Sequence, residues 1–338
     1  MRGAALAVVA LSLGALVGTA SAEHAVSAGR TLSIRGEVAG ISADGGHVAV
    51  HAHPASGCEY ASIWTPSTGA VVNIDDCGSS DAVLSDLTLA GSTAIWWDWS
   101  SGNHVYCDDV YTATIEHPKA HALGICDGTM GDDYFGFAGD RTLVTINDYS
   151  VCASDCVGAG GSLLPDGDYA VEVRRIRGGK LATVLGPRDF RMVIDARNWR
   201  VAVIEPKATL AVYDASGKLL WTTPGVSGVL RGWIVGNSVV VQRGRSVQVY
   251  SARSGVIPTR SLPKGARLDD GVGGLALYTV GSSVHLLRLS DGRDRRLVTV
   301  RGLVGAQLTP AGVFYAYNLP ANARVIFVPI GAVLQKLR

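Results

Sequence analysis

The chain has 338 residues, 42 of them glycine, and its 30 Lys and Arg against 29 Asp and Glu leave a formal net charge of +1. Basic residues are scattered singly among strand-like runs rather than clustered, which argues against a nucleic-acid reader. Beyond the N-terminus no stretch is long and apolar enough to span a membrane.

The opening MRGAALAVVALSLGALVGTASAEH carries one Arg, an apolar run from Ala4 and small residues at Ala20 and Ala22. That is the pattern of a secretory signal peptide over residues 1–22, with the mature chain starting near Glu23. The expected location is secreted, or in the cell envelope or periplasm. Near-neutral net charge hides a segregation: residues 23–170 hold 20 acids and 4 bases, whereas residues 171–338 hold 9 acids and 25 bases. Such halves create a long-range field. Solvated strand faces account for it most simply, and electrostatic self-association is the alternative.

Short runs rich in Val, Ile, Leu, Tyr and Thr, cut by Gly-containing turns, predict an all-β chain. One ladder of turns runs through TPSTGAVVNI, YDASGKLLWTT, YSARSGVIPTRSL and RLSDGRDRRLVTV, with Gly217, Gly255 and Gly292 spaced by 38 and 37 positions. A second ladder, out of phase, runs through SADGGHVAV, LAGSTAIWW, FAGDRTLVT, DARNWRVAVI, VGNSVVV, GVGGLALYT and TPAGVFYAY. Two interleaved hairpin turns in about 40 residues make four strands per repeat, the blade of a β-propeller. The count is about seven four-stranded blades in one domain over residues 23–338. Disulfide-bearing blades would occupy 37–186 and short-loop blades 187–338. The N-terminal strand TLSIRG is expected to complete the last blade and close the ring; the competing reading gives that place to the C-terminal IGAVLQKLR.

The segment ATLAVYDASGKLLWTT resembles the repeat of secreted bacterial propellers of the pyrroloquinoline-quinone type, and it is similar to WD-repeat and Tol-Pal-associated propellers. The resemblance in repeat form spans most of the mature chain, with a close match only from Tyr213 to Trp221. It implies propeller membership. It carries no recognisable cofactor residues, so no cofactor is expected from it.

All six cysteines lie between Cys58 and Cys156. In an exported chain they are expected to pair. Cys58 to Cys77 and Cys107 to Cys126 share a spacing of 19 and flank hairpin turns, while Cys152 and Cys156 can close a small loop. The same three blades carry the longer connections PASGCE, SSGNHVYC and YSVCASDCVGAGGSLLPDGD, all expected on the face where strand two meets strand three. Long loops on a regular scaffold are where binding residues gather.

On that face HVAVHAH aligns with TAIWWDW of the next blade, so that His51 and His53 stand where Trp97 and Trp99 stand. Imidazoles at i and i+2 can ligate a metal from one strand, although spacing identifies no third ligand. The tryptophans form either a platform for a sugar or packing between blades. His104, Tyr106, Asp108, Asp109, Asp132, Asp133 and Tyr134 complete the candidate ligand-binding set. Acid-rich loops offer oxygens for Ca2+, or only close turns. No nucleophile elbow, zinc-protease helix or phosphate loop is present in the sequence. The expected function is an exported, non-catalytic scaffold whose partner is a protein or an envelope glycan. The alternative is a propeller hydrolase or lyase using acids and His, metal-assisted, on the same face.

Overall fold

A computed structural model describes residues 29–54, 58–75, 83–101, 106–123, 137–140, 143–148, 170–177, 180–188, 192–197, 199–252 and 255–338. The described strands form seven four-stranded antiparallel sheets, each of them a blade. Blade 1 runs through Glu37–Asp44, His47–His53, Tyr60–Thr65 and Ala70–Asp75, and the same up-and-down order repeats around the chain. The first strands of successive blades are Glu37–Asp44, Val83–Ala90, Phe137–Asp140, Met192–Arg197, Val229–Val235, Ala266–Val272 and Leu303–Leu308. Each contacts the next and the last contacts the first, which makes a closed propeller ring around a central channel.

The N-terminal strand closes the ring as expected. Arg30–Arg35 lies antiparallel on Asn322–Pro329, with Arg30 opposite Phe327 and Arg35 opposite Asn322, and so becomes the outermost strand of blade 7. The C-terminal segment forms instead a short helix, Ile330–Gln335. Its Val333 and the following Leu337, an i, i+4 apolar pair, are buried with Leu286 and Leu308 between blades 6 and 7.

Alternation predicts one buried face per strand, but the second strands are buried on both. Val48, Ala49 and Val50 are all inaccessible, as are Val201, Ala202 and Val203 of blade 4. Stacking of blades is the cause. Val48, Val50 and Trp64 pack against Phe314 and Val325 of blade 7, while Ala49 and Ile63 face Trp96 of blade 2. A strand covered on both faces reads as a continuous apolar run. Burying one such aliphatic or aromatic side chain contributes about 1.5–3 kcal/mol, so the seams hold the ring together. In blades 1, 2, 5 and 6 two-residue turns join strand one to strand two, with Gly45, Gly91, Gly236 and Gly273 at positive φ where a side chain would be strained.

Candidate functional site

Two groups of polar side chains stand apart from this apolar framework. One lines the channel. The first strands carry acids, Asp195 in MVIDAR and Asp270 in ARLDDGV. Asp195 Oδ2 accepts the amide of Ile234 from blade 5 at 2.7 Å. Asp270 Oδ2 accepts that of Leu308 from blade 7 at 3.2 Å. Ser42 and Asp44 of blade 1 accept the amides of Leu89 and Gly91 of blade 2 at 2.8 and 2.7 Å. Gln307 accepts that of Ala43, and Gln242 that of Leu268. Each acceptor reaches one blade onward, so these bonds act as rivets between neighbouring blades.

Arg197 ties the rivets together. Its Nε lies 3.3 Å from Asp195, its guanidinium 3.4 Å from Asp270, and it donates to the Gly271 carbonyl at 2.7 Å. Burial pushes the Asp195 carboxyl up, against the opposing pull of Arg197. Burial likewise pushes Asp270 up, to about 6, again opposed by Arg197. A cavity of about 360 Å³ lies among Asp44, Asp195, Arg197, Arg231, Asp269 and Asp270. These acids were not singled out in the sequence. The signal that marks them is a carboxylate recurring in the first strand three residues before the turn.

The second group sits at the opposite end of blade 1, where strand two meets strand three. The ladder places His51 opposite Ala61 and Ala52 opposite Tyr60, so Glu59 falls on the face that His51 and His53 share. Its carboxylate bridges the two imidazoles: Oε2 lies 2.9 Å from His51 Nε2, and Oε1 lies 3.2 Å from His53 Nδ1. The rings stand 4.8 Å apart at their centroids. Side-chain exposure rises from 13% at His51 through 23% at Glu59 to 45% at His53, so the cluster opens to solvent on one side. Glu59, a third group able to ligate a metal that spacing did not reveal, directly precedes the strand that pairs with that of the histidines.

The aligned tryptophans are set by the same geometry. Trp97 pairs with Val110 and Trp99 with Asp108 across the hairpin of blade 2. Their second strand, Thr93–Ser101, and its partner, Tyr106–Thr114, extend past the expected loop boundary. Both flanks of SSGNHVYC therefore lie on strands, Ser100 and Ser101 on one and Tyr106 and Cys107 on the next, which continues through Asp108 and Asp109, because the ladder extends to Ser101 opposite Tyr106. The side-chain surroundings of Trp97, Trp99, Tyr106, Asp108 and Asp109 lie outside the described residues, as do His104, Asp132, Asp133 and Tyr134 entirely. Cys77, Cys126, Cys152 and Cys156 also lie outside them, and so do the expected pairings of Cys58 and Cys107. Trp96, between the two candidates, is buried between blades 1 and 2 and stacks on Tyr111 at 6.0 Å.

No protein-family model matches the sequence, and no curated protein matches it. Solved structures do match in fold. A chain of the mitotic checkpoint complex aligns at a TM-score of 0.53 and 12% identity, covering 93% of this chain and 99% of that one. An oligogalacturonate lyase crystallised with manganese aligns at 0.53 and 9% identity, covering 90% and 92%. A prolyl endopeptidase aligns at 0.53 and 12% identity, covering 83% of this chain but 45% of its own length. At such identities the likeness shows the fold, a β-propeller shared by assembly components and by enzymes. No helix among the described residues is long and apolar enough to cross a membrane.

Proposed function

We propose that this chain is an exported, non-catalytic binding propeller, with its partner, a protein or an envelope glycan, held on the acidic, aromatic loop face of blades 1–3. The observation that carries the reading is the length of the second strands. That of blade 2 runs for 9 residues, against 7 in blades 1 and 7 and 6 in each of blades 3, 4, 5 and 6. The extra residues extend the hairpin of blade 2, Trp99 included, past the length of the second strands in the other blades. The buried channel acids support it from the other side, since Asp195 and Asp270 are engaged in blade-to-blade contacts.

The test is titration of soluble envelope-glycan fragments against the wild type and a Trp97→Ala/Trp99→Ala variant. Loss of binding at unchanged Tm supports a platform. A lowered Tm would make the tryptophans packing and leave the glycan reading without its site. N-terminal sequencing of the exported product should begin at Glu23. A second reading, a metal-assisted hydrolase or lyase on the same face, is favoured by the convergence of His51, His53 and Glu59. Turnover of a bound glycan, abolished in His53→Gln, would replace the binding reading with that one.

A further inference from the structure

We propose that His51, His53 and Glu59 form a three-ligand site for a divalent transition cation of the zinc class. Their ligand atoms, two imidazole nitrogens and a carboxylate oxygen, all lie within 4.8 Å of one another. Ligands about 2.1 Å from a tetrahedral zinc ion stand roughly 3.4 Å apart, so the cluster needs only small side-chain rotations to close on an ion. Two imidazoles and one carboxylate suit zinc and its neighbours, whereas calcium takes six to eight oxygens.

The backbone holds this arrangement before any ion arrives. His51 is paired on both sides, to Gly40 on strand one and to Ala61 on strand three. Both neighbours are small, and a β-carbon added to Gly40 would meet nothing within 4 Å. The His51 Cα is therefore fixed by two ladders, with open space beside Gly40. His53 lies two residues on, on the same pleat face, and Glu59 is the residue directly before the strand Tyr60–Thr65 that pairs with theirs. Three of four tetrahedral positions are filled from one hairpin, and the exposed His53 side leaves the fourth for water or a partner's side chain. An open fourth position distinguishes a catalytic or bridging zinc from a closed structural one.

The alternative arrangement is a carboxylate shared by two imidazoles with no ion. It differs in what it predicts for added metal. The experiment is titration calorimetry of ZnCl2, then CaCl2, into the full oxidised chain after chelation and buffer exchange. The expected result is one zinc per chain with micromolar or tighter affinity, no uptake of calcium at these residues, and at least tenfold weaker zinc binding in His53→Gln and in Glu59→Gln. His121→Ala, at an exposed histidine elsewhere on blade 2, should bind as the wild type does. Absence of zinc uptake, or uptake unchanged in both variants, overturns the site. Because His53 is 45% exposed, its variant should fold even if substitution of the more buried His51 does not. Zinc uptake is read on the chain alone, so failure of the partner reading leaves this outcome unaffected, and failure here leaves that reading standing.

Discussion

Trp233 lies so close to Gly271 that a β-carbon added to the glycine would stand 1.9 Å from the indole Cε2. The two residues belong to the first strands of blades 5 and 6, and Trp233 is 2% exposed. Contact at that distance has no solution in which both side chains stay where they are. Gly271 is thus a packing requirement, and its carbonyl, which Arg197 reaches, is held in place by the same fit. Gly271→Ala should destabilise by about 3 kcal/mol or more, the upper range for overpacking. Trp233→Ala alone should cost about 3–5 kcal/mol through the cavity it leaves. In the double variant the alanine methyl occupies vacated space, so its cost should fall below the sum of the two. Urea unfolding of the three variants measures that coupling.

Asp270 makes stability depend on pH in a direction opposite to that of an ordinary surface carboxylate. Burial raises it from 3.8 to about 6, so the folded state favours the protonated form. A raised folded value contributes stability that is fully present below the unfolded value and is lost as pH rises through the folded one. Asp270→Asn removes that dependence. The Tm of the variant, relative to wild type, should be higher at pH 7 than at pH 4.5. A difference that is constant across this range would show that Arg197 neutralises the burial cost completely.

Removal of residues 30–35 should leave Asn322–Pro329 as an uncovered edge, since those residues provide its outer partner. Exposed edges template pairing with other chains. The truncated protein should unfold at a Tm lower by roughly 10 °C and elute partly as dimers or larger species, checked by calorimetry and size-exclusion chromatography.

Trp96 and its neighbours Trp97 and Trp99 should respond differently to substitution. Trp96 is 1% exposed and packs with Ala49, Ile63 and Tyr111. Trp96→Ala should cost about 3–5 kcal/mol in urea unfolding, as a large aromatic removed from a seam does. A loss below about 1 kcal/mol would mean that the seam collapses into the space.

The repeat was legible because turns are written in glycine: two ladders of them, out of phase, imply four strands per unit whatever the strands contain. The closing strand was legible for a related reason, since three strands at one end and one at the other complete a sheet. Double-sided burial was harder to see, because stacking between blades is a long-range property and period-two alternation presumes one wet face. Glu59 was missed because its nearness to His51 and His53 depends on hairpin register, not on sequence spacing. Asp195 and Asp270 were missed because an acid near the end of a strand looks like a turn neighbour until the next blade presents an amide to it.

The pairing of Arg30 with Phe327 joins residues made early with residues made late. Until Asn322–Pro329 has been made the strand Arg30–Arg35 has no partner to dock on, and blade 7 stays incomplete. Completion is therefore built into the topology: an interrupted product keeps an open edge that proteases and other chains can find, and a sealed ring certifies that its last strand has been made.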